Sequence, residues 1–273
     1  MKYLLPLFIH ILIVGCNNDS KTKETEENSG FNFDSQSKTA NANGFLLDST
    51  AYYVDSIIRQ YIQTSIGTEP SEEYTYTFHK ALLNKDKVTD AIISVNRLGF
   101  AKEKAKENGS ERQAKKMAYM GPFNIFIFYD GRSNSFSTPI PVPSSPILPL
   151  DISFEHISSN QYKDLVVDFR IRNSSFKEVY FLFNNKPFKV FQWKNFDGLG
   201  ETTEEAYTFN YRQSQRGNIK DIIVNKGIIE SYPKEIDPFK YKPTIKNSKE
   251  VLKRFFYIQE KGKYFSTKNS REQ

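Results

Sequence analysis

Cysteine and histidine are scarce in this chain of 273 residues, which has one Cys and three His. A single cysteine cannot form an intramolecular disulfide, which excludes a disulfide-stabilised scaffold, and it also excludes a multi-cysteine zinc or iron–sulfur protein. Glycine and proline number only 13 and 12, which excludes collagen and low-complexity sequences. The composition is that of a globular protein with room for one large domain or two small ones.

Catalytic sequence motifs are also lacking. The chain contains no HExxH, GxSxG or Walker motif, and no GxGxxG before a predicted helix. His10, His79 and His156 are isolated from one another, and a lone histidine beside an apolar strand face is more often structural than a ligand. The sequence therefore favours a protein that is not an enzyme. A hydrolase that uses paired carboxylates is the alternative, because the separation of such a pair in space cannot be read from sequence.

The chain begins with a short cationic start and one apolar segment. Leu4–Val14 is apolar except for Pro6 and His10. As a helix it would extend about 16 Å, well short of the ~30 Å hydrocarbon core of a bilayer. The segment is therefore typical of a secretory signal peptide and not of a membrane-spanning helix.

The signal segment ends at the single cysteine of the chain. Ile13-Val14-Gly15-Cys16 resembles the lipobox of bacterial lipoproteins, in which an aliphatic residue and small residues precede the cysteine. The resemblance implies that residues 1–15 are a lipoprotein signal peptide that is removed, and that Cys16 becomes the diacylated first residue. Two or three acyl chains hold a protein stably on a membrane. A plain signal peptide with an incidental cysteine is the alternative.

The next segment, residues 16–44, has few apolar side chains. It is rich in Asn, Ser, Thr, Lys and Glu, which predicts a disordered tether behind the lipid. Asn17 follows the cysteine at the position where Asp would resemble an inner-membrane retention signal, so the outer membrane is favoured. We expect a lipid-anchored protein of the bacterial cell envelope with a single β-rich domain over 45–265 and a flexible tail over 266–273.

The predicted domain is mainly β with helical additions, an α+β class built from antiparallel sheets. An apolar stripe predicts a helix from Asp48 or Ser49 to Ile66, and residues 98–118 are helical by propensity. Within that insertion Ser110 and Gln113 have the spacing of a capping box. Near the end of the domain, Ser248 could cap a last helix carrying Val251, Leu252, Phe255 and Phe256. Five prolines predict an extended edge connection over 139–149. Period-two patterns predict strands over 74–83, 88–97, 123–129, 135–138, 150–157, 163–172, 177–183, 188–193, 206–212, 219–225 and 227–232.

One local pattern occurs three times. A polar residue, an Asp and the start of an apolar strand recur at Asp90, Asp164 and Asp221. The first copy, Asn84–Asp90, resembles the DxNxDGxxD loop of FG-GAP and VCBS-type propeller repeats. The resemblance implies propeller-like blades, and closing a propeller takes at least about four of them. We therefore expect an incomplete propeller-like structure or an open antiparallel sheet flanked by helices.

The same resemblance suggests a metal. In that family the loop binds calcium through carboxylate and amide oxygens, which suit a hard cation. Carried over, it makes Asn84, Asp86 and Asp90 candidate ligands of a calcium-stabilised module, although Leu82 and Lys87 stand where the family has Asp and Gly. The alternative involves no cofactor: Asp90, Asp164 and Asp221 accept hydrogen bonds from backbone amides of their own turns.

The charge pattern bears on partners. The chain has 38 Lys and Arg against 32 Asp and Glu, and the basic residues concentrate in 97–116 and 240–273. Such stretches are solvated faces or contacts for phosphate-bearing headgroups, and no motif for nucleic acid accompanies them. Asp168, Arg170 and Arg172 alternate along one strand and predict either cross-strand pairing or a polar ligand surface. We expect a non-catalytic binding or scaffold module for another envelope protein or glycan.

Overall fold

The structure, a computed structural model, describes residues 49–266. The predicted signal peptide, Cys16 and the tether lie outside these residues, as do residues 267–273 of the predicted tail. The helices are α1 (Ser49–Ile66), α2 (Leu98–Glu107), α3 (Glu111–Lys116) and a short 3-10 helix, Gln259–Lys261. The strands are β1 (Thr75–Ala81), β2 (Asp90–Asn96), β3 (Gly121–Asp130), β4 (Ser135–Phe136), β5 (Ile140–Ser144), β6 (Asp151–Glu155), β7 (Asp164–Ile171), β8 (Ser174–Phe183), β9 (Lys186–Asp197), β10 (Glu205–Arg212), β11 (Asp221–Ile229), β12 (Ile245–Ile258) and β13 (Lys263–Ser266).

Two antiparallel sheets make up most of the described chain. The five-stranded sheet has the order β1-β2-β3-β4, with β5 also paired to β3. The eight-stranded sheet has the order β13-β12-β11-β10-β9-β8-β7-β6. The expected fold class, mainly β with helical additions and antiparallel sheets, is confirmed.

Three groups of four consecutive strands can be distinguished within these sheets. We call β1–β4 the first meander, β6–β9 the second and β10–β13 the third. The second and third share a sheet, yet β9 and β10 pair only through Glu205–Asp197 and Ala206–Phe196. By contrast, β8 and β9 pair along almost their whole length. The eight-stranded sheet is therefore two meanders joined by a short ladder.

The first sheet is covered on both faces. Ile58 and Ile62 of α1 pack on Ile93, Val95 and other residues of one face. The opposite face packs against the second meander, where the rings of Phe126 and Tyr180 meet edge to face with centroids 5.0 Å apart. Burial on both sides explains why β2 is apolar along most of its length.

A second apolar core lies between the second and third meanders. Its members are Ile157, Val166, Val179, Phe181, Val190, Phe191, Ile222, Val224, Phe255 and Tyr264. Phe191 of β9 meets the rings of Phe255 and Tyr264 at centroid distances of 5.1 and 5.9 Å. These contacts bring the far strands of the third meander back over β9, although β9 pairs only with β8 and β10.

The proline-rich connection contains one short strand. β5 pairs with β3 alone, and Pro141 stands opposite Ile125. Because proline has no backbone N–H to donate, it is tolerated where one side of the strand has no neighbour. This agrees with the extended edge connection expected from sequence.

Two details of the expected secondary structure are wrong. The segment after Ser248 is strand β12 and not a helix, with Lys249 in a left-handed conformation at φ 66°. Its Val, Phe, Tyr and Ile residues favour a strand once β11 and β13 supply partners on both sides. The two strands expected over 219–225 and 227–232 are a single strand, β11 (Asp221–Ile229). Gly227 lies within it because a Cβ there would come within 2.5 Å of Ile245 Cγ2.

The helical insertion between β2 and β3 is confirmed, but its capping box is wrong. Ser110 makes no side-chain cap for α3, and its Oγ donates to the carbonyl oxygen of Ala105 at 3.3 Å. The bond to the end of α2 closes the turn between the two helices. It therefore competes with the capping geometry that the spacing of Ser110 and Gln113 suggested.

A buried ion pair fixes the start of this insertion. Arg97 Nε and Nη2 donate to the two carboxylate oxygens of Glu72 at 2.5 and 2.6 Å. The side chains of Arg97 and Glu72 are 10% and 2% exposed, and the guanidinium lies 4.2 Å from the ring centroid of Phe100. The pair therefore joins the segment before β1 to the first turn of α2.

Replacing Glu72 by Gln should destabilise the fold, because it leaves the buried guanidinium of Arg97 without its counter-charge. We expect the free energy of unfolding to fall by about 3 kcal/mol, measured by urea denaturation. Glu107 forms an ion pair with Lys104 on α2, and its side chain is 62% exposed. Glu107→Gln should therefore change the unfolding free energy by less than about 0.5 kcal/mol. Equal effects of the two substitutions would contradict the role given to the buried pair.

Candidate binding surface

The loop before β2 contains the first two predicted calcium ligands. The Asp86 backbone N–H donates to Asn84 Oδ1 at 2.9 Å, and the Val88 N–H donates to Asp86 Oδ1 at 2.7 Å. The other carboxylate oxygen of Asp86 lies 3.2 Å from Arg132 Nε. The side-chain oxygens of Asn84 and Asp86 thus already accept donors from their own loop and from a guanidinium.

The third predicted ligand, Asp90, is 1% exposed at the start of β2. Its two oxygens accept the backbone N–H groups of Leu83 and Gly131 at 3.2 and 3.1 Å. Gly131 is required at this approach, since a Cβ there would lie 2.0 Å from the Thr89 carbonyl oxygen. Among residues 49–266 no group of three or more His, Cys, Asp or Glu side chains could hold a metal ion. The carboxylate of Asp90 therefore connects two turns of the first meander by accepting one backbone N–H from each.

Asp164, at the start of β7, has a similar environment. It is 1% exposed, and one carboxylate oxygen accepts the N–H groups of Ile157 and Ser158 at 3.0 and 2.6 Å. The other accepts the Ser158 hydroxyl at 2.7 Å. Burial raises the pKa of Asp164 to about 6, against the effect of these donors, which favour the ionised form.

Asp221, at the start of β11, differs from the other two. One of its oxygens accepts Arg254 Nε and Nη2 at 2.8 and 2.7 Å. Its other oxygen is buried without a hydrogen-bond partner among the described residues. The third copy of the pattern therefore uses a side-chain cation where the first two use backbone amides.

Backbone hydrogen bonds connect one copy of the pattern to the next. The N–H of Lys163, just before Asp164, donates to the carbonyl oxygen of Leu82 at 2.8 Å. The N–H of Lys220, just before Asp221, donates to the carbonyl oxygen of Ile157 at 2.9 Å. Leu82 precedes Leu83, whose amide binds Asp90, and the amide of Ile157 binds Asp164. Asp90 and Asp164 thus each hold a loop to which the start of the next copy of the pattern is attached.

The two histidines in the described part of the chain are apart and separately satisfied. His79 Nε2 lies 3.0 Å from Ser94 Oγ, and burial lowers the pKa of the His79 ring. His156 Nδ1 lies 3.0 Å from the carbonyl oxygen of Tyr162. Both rings therefore contribute to local packing and turn formation.

The alternating charges of β7 have separate roles. Arg170 is 6% exposed and donates to the carbonyl oxygens of Tyr241, at 3.2 Å, and Pro238. Its guanidinium lies 4.6 Å from the ring centroid of Phe196, and burial lowers its pKa to about 10. Arg172 is in the turn after β7 with φ 54°. Arg170 therefore holds the connection between β11 and β12, whereas Asp168 belongs to another surface.

Asp168 forms a polar cluster with two side chains that the sequence did not indicate. Its two carboxylate oxygens accept Lys177 Nζ at 2.8 Å and Asn195 Nδ2 at 2.7 Å. The Lys177 ammonium also lies 5.4 Å from the ring centroid of Phe209 on β10. Lys177 and Asn195 escaped sequence analysis because they lie on β8 and β9, and only the strand register brings them beside Asp168.

Aromatic side chains lie beside this cluster. Trp193, Tyr207, Phe209 and Tyr211 are half-buried at the edge of the second core. Trp193 meets Tyr207 edge to face with centroids 6.1 Å apart. Burial, followed by the charges of Glu155, Asp168 and Asp164, raises the pKa of the Tyr211 hydroxyl. We call Asp168, Lys177, Asn195 and these four aromatic residues the inter-meander surface.

The inter-meander surface has the composition of a binding site. Half-buried aromatic rings offer rigid apolar faces, and a fixed ammonium, carboxylate and amide offer directional hydrogen bonds. The charged pair is already formed without a ligand, so binding would need little rearrangement. The arrangement suits a ligand with both apolar and polar faces, such as a sugar ring or a protein segment.

Comparison with known proteins does not assign the chain to a family. No family model, no curated protein and no solved structure matches it. Within residues 49–266, none of the helices has the length and apolar character needed to cross a bilayer. Inference about function therefore depends on the residues themselves.

The raised pKa of Asp164 predicts a pH-dependent stability. Its ordinary value is 3.8 and its folded value is about 6, so the folded state keeps the proton over a range in which the unfolded state releases it. Protonated Asp164 contributes fully to the free energy of unfolding below about pH 4. This contribution, roughly 2–3 kcal/mol, is lost as the pH rises through 6. Burial raises the pKa of Asp90 to about 6 as well, so Asp164→Asn should make this part of the pH profile measured by urea denaturation less steep without removing the slope that Asp90 contributes. Asp237→Asn, at an exposed site, should leave the slope unchanged, and an unaltered slope in Asp164→Asn would contradict the assignment.

Proposed function

We propose that the protein is a lipid-anchored, non-catalytic binding module of the bacterial cell envelope, more specifically of the outer membrane. Its partner is another envelope component, a protein or a glycan. The lipobox-like sequence ending at Cys16 supports the anchor, and the composition of residues 17–44 supports a tether between lipid and domain. The three meanders are consistent with degenerate propeller-like repeats, which we propose as their origin.

The inter-meander surface is the observation on which the binding role depends. The side chains of Asp168 and Lys177 are 24% and 14% exposed, so the pair is accessible but largely held in place. Burial raises the pKa of the carboxyl groups of Asp90 and Asp164, but both accept hydrogen bonds from backbone amides of turns and neither belongs to the inter-meander surface. A preformed polar cluster bordered by aromatic rings favours binding over carboxylate catalysis.

A capture experiment tests the binding role. The tagged protein, cross-linked in detergent-solubilised envelopes, should retain a specific component that Asp168→Asn retains about tenfold less well, because a charge-assisted contact contributes about 1.5 kcal/mol or more. Asp55→Asn makes the same chemical change at a half-exposed pair on α1 and is the matched control. Glycan is distinguished from protein by treating the envelopes with protease before capture. Identical capture by all three proteins would contradict a binding role for the inter-meander surface.

The anchor makes an independent prediction. Cys16→Ser should move the protein from the membrane fraction to the soluble fraction, because the sulfur that carries the lipid is gone. Asn17→Ser, next to it, should leave the protein in the membrane fraction. The melting midpoint of the folded domain should be the same in all three proteins. A wild-type protein whose mass spectrum shows residues 1–15 still attached, or an unmodified Cys16, would contradict the anchor.

A further inference from the structure

The hairpin between β8 and β9 carries two exposed aromatic rings. Phe183 and Phe188 are 47% and 43% exposed, and their rings meet edge to face with centroids 5.9 Å apart. Exposed apolar side chains that adjoin one another often mark a surface that contacts a membrane or another protein. We call Phe183 and Phe188 the aromatic tip.

The hairpin is held in a fixed position. Its turn consists of Asn184 and Asn185 at φ 50° and 57°, and Phe183 pairs with Lys186 across it. Asn185 Nδ2 donates to the carboxylate of Asp130, at the end of β3 in the first sheet. The aromatic tip is therefore presented by a tied hairpin and not by a free loop.

Lysines surround the aromatic tip. Lys186 belongs to the hairpin, and the turn between β12 and β13 contributes Lys261 and Lys263. That turn is adjacent to the tip, since a Cβ on Gly262 would lie 3.7 Å from a ring carbon of Phe188. All three lysines are exposed, and no ion pair joins them to a carboxylate among residues 49–266. Glu260 is the acidic side chain on the same turn.

We propose that the aromatic tip and its three lysines are a second membrane contact, which inserts the two rings into the interfacial layer of an anionic bilayer. The proposal rests on the proposed anchor, because the lipid at Cys16 is what would hold the domain beside a membrane. Phenylalanine rings are buried favourably at the boundary between headgroups and acyl chains, and exposed lysines are attracted to anionic lipid. The occupant is thus a lipid surface with negative headgroups.

The size of the patch favours a bilayer over a protein partner. A stable protein interface covers about 800 Å² on each side with a central apolar cluster, and two half-exposed rings supply only a small part of that. A bilayer needs no matching shape, and it gains from unpaired cations around an apolar centre. Ile228 and Val251 are more exposed, at 58% and 54%, and provide a matched comparison elsewhere on the third meander.

The experiment uses the full-length lipidated protein reconstituted on vesicles. Gln259→Cys, on the turn beside the aromatic tip, is labelled with an environment-sensitive fluorophore. On vesicles with about a third phosphatidylglycerol, we expect a blue-shifted emission that brominated lipid quenches, and at least about a tenfold weaker response on pure phosphatidylcholine. A label at Glu107→Cys on α2 should remain in an aqueous environment on both.

Two double substitutions identify the contact. Phe183→Ser with Phe188→Ser should abolish the blue shift and the quenching, whereas Ile228→Ser with Val251→Ser should preserve both. Circular dichroism and melting curves of both variants show whether the fold is retained. If the phenylalanine variant does not fold, Lys261→Gln with Lys263→Gln is the second test, and it should weaken the response on anionic vesicles by about tenfold.

Each other outcome overturns the proposal. An aqueous emission on anionic vesicles means that the aromatic tip does not reach the bilayer. A response that appears only when a captured envelope protein is added assigns the tip to a protein partner instead. Treating the parent protein, without an introduced cysteine, with the same dye shows whether the Cys16 thiol is free. A failed anchor can therefore be distinguished from a failed membrane contact.

Discussion

The hydrogen bonds accepted by buried aspartates at the start of β2 and β7 connect the loops on which much of the structure depends. Asp90 fixes the amide of Leu83, and the preceding carbonyl oxygen receives the N–H of Lys163. Asp164 fixes the amide of Ile157, whose carbonyl oxygen receives the N–H of Lys220. Leu83 and Ile157 are themselves 0% and 1% exposed, so each loop is both hydrogen-bonded and packed. A backbone hydrogen bond in this way attaches the start of the second meander to the first, and the start of β11 in the third to the loop before the second.

This connection has an electrostatic cost that the fold tolerates. A carboxylate removed from water is destabilised, and the raised pKa of Asp164 expresses that cost. An apolar residue would avoid it but would leave the amides of Ile157 and Ser158 without an acceptor, at a cost of about 1–3 kcal/mol each. The carboxylate is retained because it can accept three donors at once. Asp221 solves the same problem with a guanidinium, which leaves one of its oxygens without a partner.

Sequence patterns predicted where the helices and strands lie better than they predicted which strands pair. Period-two runs located β1–β4 and β6–β11 but not β5, β12 or β13. The helical insertion was recognised because alanine, lysine and glutamate favour helices wherever they lie. The strand β12 was mistaken for a helix because its pairing with β11 and β13 depends on residues far along the chain. The inter-meander surface was recognised only through Asp168. Its partners Lys177 and Asn195 lie on two other strands, and their approach depends on register and bulges that one sequence does not encode locally.

The short ladder between β9 and β10 links the fold to the proposed function. If the two strands paired along their whole length, the side chains of β9 and β10 would lie in one continuous sheet with regular cross-strand contacts. Pairing instead stops after Ala206. Beyond it the ring of Trp193 meets that of Tyr207, and the ring of Phe191 meets that of Phe209, with centroids 6.1 and 6.3 Å apart. Ring contacts fill space without using the hydrogen-bonding edges of Asp168, Lys177 and Asn195. The end of the ladder thus leaves polar groups and aromatic faces side by side at the boundary between two meanders. A ligand with both polar and apolar surfaces needs a binding site of this kind.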